Sequence, residues 1–142
     1  MKLITSQQTL NKEFERLLHG YNQYYWAVAW ASCPEKIFNT LLQNKSRIAK
    51  IVVGLHFYQT APDFIKAFLG SKQVKFIEQT SGTFHPKMFL FYNSDSQWEM
   101  IIGSANFTRE AFRKNTEASV LITSEDSLPG STLKDAKSFI EQ

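Results

Sequence analysis

The chain has 142 residues, of which 43% are hydrophobic and 20% charged, and this composition is typical of one folded domain with a single core. Sixteen Lys and Arg against thirteen Asp and Glu give a formal net charge of +3, which permits a polyanionic partner without requiring one. No apolar run reaches the roughly 18 residues of a membrane helix, no signal peptide is visible, and the single Cys33 argues against a disulfide or a cysteine-based metal site. We therefore expect a cytoplasmic protein in a reducing setting, with no membrane association.

In chain order, predicted helices and strands alternate through the first half of the sequence. A first helix is expected over "SQQTLNKEFERLLHG", where apolar residues recur every three or four positions and Gly20 marks the end. The aromatic run "YYWAVAWAS" predicts a buried strand, and "PEKIFNTLLQN" a second helix with Pro34 at its first position. A β-branched strand, "IAKIVVGL", precedes a third helix, "APDFIKAFLG", which Gly70 closes.

The second half contains four closely spaced strand candidates, "VKFIEQ", "HPKMFLFY", "WEMIIGSA" and "EASVLIT". A helix is expected to begin in "NFTREAFRK", and a C-terminal helix in "STLKDAKSFIEQ" with Ser131 or Thr132 as its cap. This order predicts an α/β fold: a mixed, largely parallel β-sheet, parallel at first and then in hairpins, flanked by helices on both faces. Residues 1–142 are expected to form one domain, and the absence of a helix stop at Gln142 leaves open that the chain is a fragment.

Two titratable side chains, His85 and Lys87, interrupt the apolar run "TFHPKMFLFY". Positions two apart on a strand share a face, so the imidazole and the ammonium are expected to project together. Pro86 between them donates no ladder hydrogen bond, which favours a strand start or edge. A neutral imidazole, with an ordinary pKa near ~6.5, can attack phosphorus or transfer a proton, and a lysine charge can stabilise phosphate oxygens without a metal.

A second group follows in "GSANFT", where Gly103 and Ser104 allow the backbone to approach a ligand closely. The amide of Asn106 can donate to phosphate oxygens, and helix N–H groups beyond it would favour an anion. Glu117, near the start of the next strand, is a candidate to hold the imidazole tautomer of the histidine. Together these residues predict phosphoryl transfer.

The sequence here resembles the phospholipase D superfamily and its HxK(x)4D(x)6GSxN signature, through "HPK" at 85–87 and "GSAN" at 103–106. It is most similar to the metal-independent nuclease domains of phospholipase D-type restriction endonucleases, which also have a downstream glutamate. The resemblance implies a phospholipase D-like nuclease fold, DNA cleavage without metal or other cofactor, and catalytic roles for His85, Lys87, Asn106 and Glu117.

The sequence departs from that signature at one position. The residue five after Lys87, where the family has aspartate, is Tyr92, and strand parity places it on the face opposite His85. The gap from Lys87 to Gly103 is also longer, with "NSDSQ" expected to be a hairpin loop. The family's mechanism uses two histidines, whereas this chain has one HxK, so the resemblance implies a homodimer in which two copies of His85 share one site.

Other residues allow a functional and a structural interpretation. Ser104, His56 and Arg109 are candidate substrate-binding residues. His56 follows a strand whose C-terminal end could open on the same cleft. Ser104 could instead be a plain turn residue, and Arg109 could lie on a solvated helix face. Asn106 could serve only as a helix N-cap. Three aromatic residues are expected in the core rather than at a binding surface: Trp26, Trp30 and Phe57.

Two other functions remain open from the sequence. The chain could be a non-catalytic nucleic-acid-binding or dimerisation module of a larger restriction or helicase-like protein, which the departure at Tyr92 motivates. It could also be a phosphodiesterase that acts on lipid.

Overall fold

The computed structural model describes all 142 residues of the chain, which contains seven β-strands and five α-helices. The strands are β1 Lys2–Ile4, β2 Gln23–Val28, β3 Ile48–Gly54, β4 Val74–Ile77, β5 Lys87–Ser94, β6 Gln97–Gly103 and β7 Ser119–Thr123. The helices are α1 Gln7–Gly20, α2 Glu35–Gln43, α3 Pro62–Ala67, α4 Arg109–Arg113 and α5 Thr132–Glu141. No helix combines the length and the apolar character that crossing a lipid bilayer requires.

The seven strands form one sheet in the order β1-β7-β6-β5-β2-β3-β4. Strands β2, β3 and β4 are parallel, whereas β5, β6, β7 and β1 are each added antiparallel to a neighbour. The predicted mixed α/β sheet is confirmed. Five of the seven strands run in the same direction, but only two of the six neighbouring pairs are parallel, because β5 and β7 run in reverse between the others. Strand β1, with three residues, is too short to give a periodic signal and was not predicted.

Each face of the sheet carries its own core, as expected for helices on both sides. The larger core lies under α1 to α4, and the fully buried ring of Phe14 packs edge-on against Trp26, Phe89 and Phe112 in it. The smaller core lies under α5, where Ala136 and Ile140 are buried. Truncating a ring as deeply buried as Phe14 typically costs about 3–5 kcal/mol, so this aromatic cluster holds the central strands firmly.

Tyr92 lies on the α5 face, as strand parity predicted. Its ring packs edge-on against Tyr25 and lies under the Lys137 ammonium, 4.4 Å from the ring centroid. Its hydroxyl donates a 2.6 Å hydrogen bond to the Asp95 carboxylate. The predicted loop "NSDSQ" is mostly strand, since only Asp95 and Ser96 form the turn between β5 and β6.

Strand direction brings several segment ends to one edge of the sheet. Strands β2, β3 and β6 finish at this edge, while β5 and β7 begin there. The residues just outside those ends are therefore neighbours in space, although they are spread over most of the sequence. Such an edge is a common place for a ligand site in an α/β fold.

Candidate active site

His85 and Lys87 meet at the start of β5. The strand begins at Lys87, so His85 lies just outside it, while the Pro86 carbonyl still accepts a 2.8 Å hydrogen bond from the Ala29 N–H at the end of β2. The Lys87 Nζ lies 2.8 Å from Nδ1 and 2.9 Å from Nε2 of the exposed His85 ring. An ammonium can only donate, so Lys87 is the donor in this contact.

Trp30 completes this part of the site. Its ring meets the His85 ring edge-on, with centroids 5.4 Å apart, and the Lys87 Nζ lies 5.9 Å from its centroid. The indole N–H donates a 2.9 Å hydrogen bond to the His56 carbonyl, which fixes the ring orientation. The expectation that Trp30 belongs to the core is wrong. Its position two residues after β2 is the signal that could have placed it at the edge.

The segment after β6 presents Ser104 and Asn106 to the same space. Ala105 and Phe107 alternate with them and are buried in the main core, so the intervening side chains point outward. The Asn106 Oδ1 accepts a 3.2 Å hydrogen bond from the Trp30 backbone N–H. Since the carbonyl end of the amide is engaged in this way, its NH2 group faces the cleft as a donor.

Glu117 contacts this group through Ser104. The Ser104 hydroxyl donates a 2.5 Å hydrogen bond to Glu117 Oε1 and accepts a 2.9 Å bond from the Ala118 N–H. The Asn115 amide donates to the other carboxylate oxygen at 3.0 Å. No hydrogen bond joins Glu117 to His85, so the structure does not show the expected carboxylate partner of the imidazole.

The electrostatics of the site centre on Lys87. Burial lowers the pKa of its ammonium below the ordinary value, and the negative charge of Glu117 opposes this shift without cancelling it. Glu117 thus helps to keep Lys87 charged without contacting it. A charged lysine beside a histidine suits an anionic ligand.

Gly103 permits the close approach of β6 to β7 at this edge. A Cβ at position 103 would collide with the Ser119 side chain and lie 2.5 Å from the Ala118 carbonyl oxygen. Any larger residue would push apart the two strand ends that carry Ser104 and Glu117.

These side chains surround an open cleft of about 620 Å³. Its polar lining comes from His85, Lys87, Ser104 and Asn106, and its aromatic lining from Trp30 and Phe139. A second hollow of about 550 Å³ adjoins it and shares His85, Pro86 and Phe139. The cleft combines an imidazole, an ammonium and an amide donor, which is a set suited to a phosphoryl group.

Two predicted substrate-binding residues lie elsewhere. His56 is buried, its Nε2 accepts a 3.2 Å hydrogen bond from the Gln79 N–H, and it does not line the cleft. Arg109 lines a separate hollow with Arg113 and Lys114, because α4 turns away from the cleft. The structure therefore assigns His56 and Arg109 no direct contact with a ligand in the cleft.

Two further expectations about this region are corrected. The helix that follows is capped by Thr108, whose hydroxyl accepts from the Ala111 N–H at 3.2 Å, so Asn106 is not its N-cap. Helix N–H groups were also expected beside the cleft, but α4 begins at Arg109, which lines a separate hollow.

No three His, Cys, Asp or Glu side chains are grouped so that they could hold a metal ion.

The sequence and the fold both match known proteins. The family model described as "Cardiolipin synthase, PLD-like domain" matches residues 23–132, which include every cleft residue named above except Phe139. No curated protein sequence matches the chain.

Among solved structures, NucT from Helicobacter pylori has 18% identity and a TM-score of 0.67, with 99% of this chain and 92% of that chain covered. Nuc, a phospholipase D family member from Salmonella typhimurium, has 22% identity and a TM-score of 0.66, covering 99% and 88%. TrmBL2, an archaeal chromatin protein described as showing a novel mode of DNA binding, has 11% identity and a TM-score of 0.54, covering 99% and 52%. At these identities the structural matches show a shared fold.

Proposed function

The chain belongs to the phospholipase D-like domain family, and from this premise we propose that it is a metal-independent phosphodiesterase that cleaves DNA through a phosphohistidine intermediate. The family and the nuclease-like fold predicted from the sequence are confirmed. The observation that supports the activity is the convergence of His85, Lys87 and Asn106 on one open cleft.

In the proposed first step, a His85 nitrogen attacks the phosphorus atom with its lone pair. A P–N bond forms, the P–O bond to the departing strand breaks, and a general acid protonates the departing oxygen. Water then attacks the phosphohistidine, the P–N bond breaks, and the same acid, now a base, takes a proton from the water. The result is one phosphate end and one hydroxyl end.

Lys87 and Asn106 would stabilise the charge that develops on the non-bridging oxygens. In the free protein the Lys87 ammonium lies against the imidazole, so binding of a phosphate would draw it onto an oxygen and release the nucleophilic nitrogen. The Asn106 NH2 group is already directed to the cleft by the bond from Trp30. Removing one such preorganised donor typically lowers the rate by about 10²–10³-fold.

Ser104 and Glu117 would act as positioning residues. Their 2.5 Å hydrogen bond joins the ends of β6 and β7 at the cleft edge, and the carboxylate supports the charged form of Lys87. This role differs from the direct contact with His85 expected from the sequence. It keeps Glu117 in the site without making it an acid or a base.

The general acid in this proposal is His85 of a second copy. The chain has three histidines, and neither His19 nor His56 lines the cleft. Two copies related by a two-fold axis would place one His85 on each side of a shared phosphate. His85 is exposed in the open cleft, as a site shared with a second copy requires.

Mixing experiments test the shared site. If native protein exchanges subunits with His85→Ala, and only native dimers are active, the activity falls with the square of the native fraction, to about a quarter at equal amounts. Independent sites would give a linear fall, to about one half, and this result would reject the shared site.

The proposed activity is tested by cleavage of labelled DNA in excess EDTA. We expect cleavage by the native protein and a loss of more than about 10³-fold in His85→Ala, because acid–base catalysis alone typically contributes 10²–10⁴-fold. Leu3→Ala is the matched control: Leu3 is exposed and lies on β1, the far edge strand. Activity that requires an added divalent metal, or that survives in His85→Ala, would reject the mechanism.

A second candidate is a non-catalytic DNA-binding module. The shared fold with the archaeal chromatin protein and the departure at Tyr92 favour it. This function predicts DNA binding that His85→Ala leaves intact, with no cleavage by either protein. Hydrolysis of a short-chain phospholipid but not of DNA would instead identify a lipid substrate.

A further inference from the structure

The loop after β3 presents two aromatic rings to solvent. Phe57 is 67% exposed and Tyr58 is 99% exposed, which corrects the expectation that Phe57 belongs to the core. Both residues have a positive φ, 60° and 54° respectively, and they are the only residues other than glycine in the chain that do. This backbone is unfavourable for bulky side chains, so the loop holds the rings outward against a local energetic preference.

The loop is anchored on both sides of these rings. His56, before them, is buried and accepts a hydrogen bond from the Gln79 N–H. Thr60, after them, is also buried, and its hydroxyl donates a 2.7 Å hydrogen bond to the Gly54 carbonyl and accepts a 3.2 Å bond from the Ala31 N–H. With both ends fixed, the rings are presented by a defined loop rather than by a loose one.

The same loop is continuous with the candidate active site. The His56 carbonyl accepts the indole N–H of Trp30, and the Trp30 ring contacts the His85 ring. Phe57 therefore lies within a few contacts of the proposed nucleophile, at the edge of the sheet where the cleft opens. A nucleic-acid strand whose phosphate lay against Lys87 would be able to extend its neighbouring bases along this edge.

We infer that Phe57 and Tyr58 form a stacking platform for unpaired bases next to the phosphate in the cleft, and that the preferred substrate is single-stranded nucleic acid. The inference rests on the proposed function. Bases have apolar faces, and stacking on aromatic rings is how proteins hold single strands without reading their sequence. A base paired inside a duplex does not offer that face, so the platform selects unpaired strands.

The test measures binding in the His85→Ala background, so that cleavage plays no part. Fluorescence anisotropy compares a labelled single-stranded oligonucleotide with one of equal length that contains abasic residues, which keep the phosphates but lack bases. Phe57→Asn and Tyr58→Asn remove each ring but keep a residue that tolerates a positive φ, so the loop is expected to fold. Leu3→Ala is the control for the loss of an exposed apolar side chain elsewhere.

We expect each Asn variant to bind the ordinary single strand about tenfold more weakly and the abasic strand less than twofold more weakly. Tyr58→Trp should restore or exceed the native affinity, because indole stacks well. Equal losses on both oligonucleotides would overturn the inference. The inference would also be overturned if the Asn variants became monomers in sedimentation without losing affinity in a way that depends on the bases. The rings would then form a contact between copies of the chain.

Failure of the stacking platform can be told apart from failure of the proposed cleavage of DNA. If the parent protein binds neither oligonucleotide, the nucleic-acid substrate itself is refuted. If it binds both with equal affinity, and the Asn variants behave like the parent, only the stacking platform is refuted and the cleavage proposal stands.

Discussion

Two substitutions of Asn106 separate its proposed role as a hydrogen-bond donor to the phosphate from its structural role as an acceptor for the Trp30 N–H. Its Oδ1 accepts from the Trp30 N–H at 3.2 Å, and its NH2 group faces the cleft. Asn106→Asp keeps an oxygen acceptor for Trp30 but replaces the donor with a negative charge. Asn106→Ala removes both groups, so the two variants should fail in different ways.

The expected losses of activity follow from this geometry. Loss of one donor to the developing phosphate charge lowers the rate by about 10²–10³-fold in either variant. In Asn106→Asp the new charge also repels the phosphate, by about 1 kcal/mol at 4 Å in water and about 4 kcal/mol near a protein surface. Even the smaller value adds about a fivefold loss, so Asn106→Asp should be the less active variant.

The expected losses of stability run in the opposite order. Asn106→Ala leaves the Trp30 N–H without an acceptor, which costs about 1–3 kcal/mol when the group is buried and the lower value when it is half-buried. A loss of about 1 kcal/mol lowers the melting temperature of a chain of this size by roughly 3–5 °C. Asn106→Asp retains the acceptor, so its melting temperature should stay close to that of the native protein.

The assay pairs kcat/KM on bis(p-nitrophenyl) phosphate with thermal unfolding followed by circular dichroism. Asn93→Asp is the control for charge, because the Asn93 Oδ1 also accepts a backbone N–H, that of Asn22 at 2.7 Å, but at the other end of β5. Its activity should be unchanged. An Asn106→Asp variant that is as active as the native protein, or more active than Asn106→Ala, would refute the donor role.

Two further predictions concern the edge of the cleft. Gly103→Ala should lower the free energy of unfolding by about 1–3 kcal/mol and reduce activity, because its Cβ would lie 2.5 Å from the Ala118 carbonyl oxygen. Urea unfolding measures this loss. Gly20→Ala is the control and should not destabilise the protein, because the space around Gly20 is open. Glu117→Gln should move the alkaline limb of the pH–rate profile to lower pH. Burial already lowers the Lys87 pKa, and loss of the carboxylate charge lowers it further, so the ammonium loses its proton earlier as the pH rises. An unchanged limb would show that Lys87 does not set it.

The motif residues could be predicted from the sequence because their signals are local. Positions two apart at a strand start brought His85 and Lys87 together. Gly103 was expected to let the backbone approach a ligand, whereas the close approach that the structure shows is between β6 and β7. Strand parity likewise placed Tyr92 on the opposite face. Each of these conclusions needs only the geometry of one strand or one turn.

The surroundings of the motif depend instead on which strand ends meet, and no local pattern encodes that. Trp30 and His56 both follow strands that finish at the same edge, yet one lines the cleft and the other is buried behind it. The Phe57 side chain is as hydrophobic as that of a core residue, but its positive-φ backbone turns the ring out to solvent. The hydrogen bond from the Ser104 hydroxyl to the Glu117 carboxylate likewise joins two strand ends that only the folded sheet brings together.

The two-residue turn at Asp95 and Ser96 has a consequence for engineering and for divergence. Strand β5 spans eight residues from the cleft to this turn, a distance of roughly 25 Å, and β6 returns over a similar length. Lengthening both strands equally would move only the turn and leave Lys87 and Gly103 in register at the other end. The number of residues between the two motifs is therefore free to vary, and the turn is a suitable place to insert a fluorescent label or an additional domain without altering the chemistry.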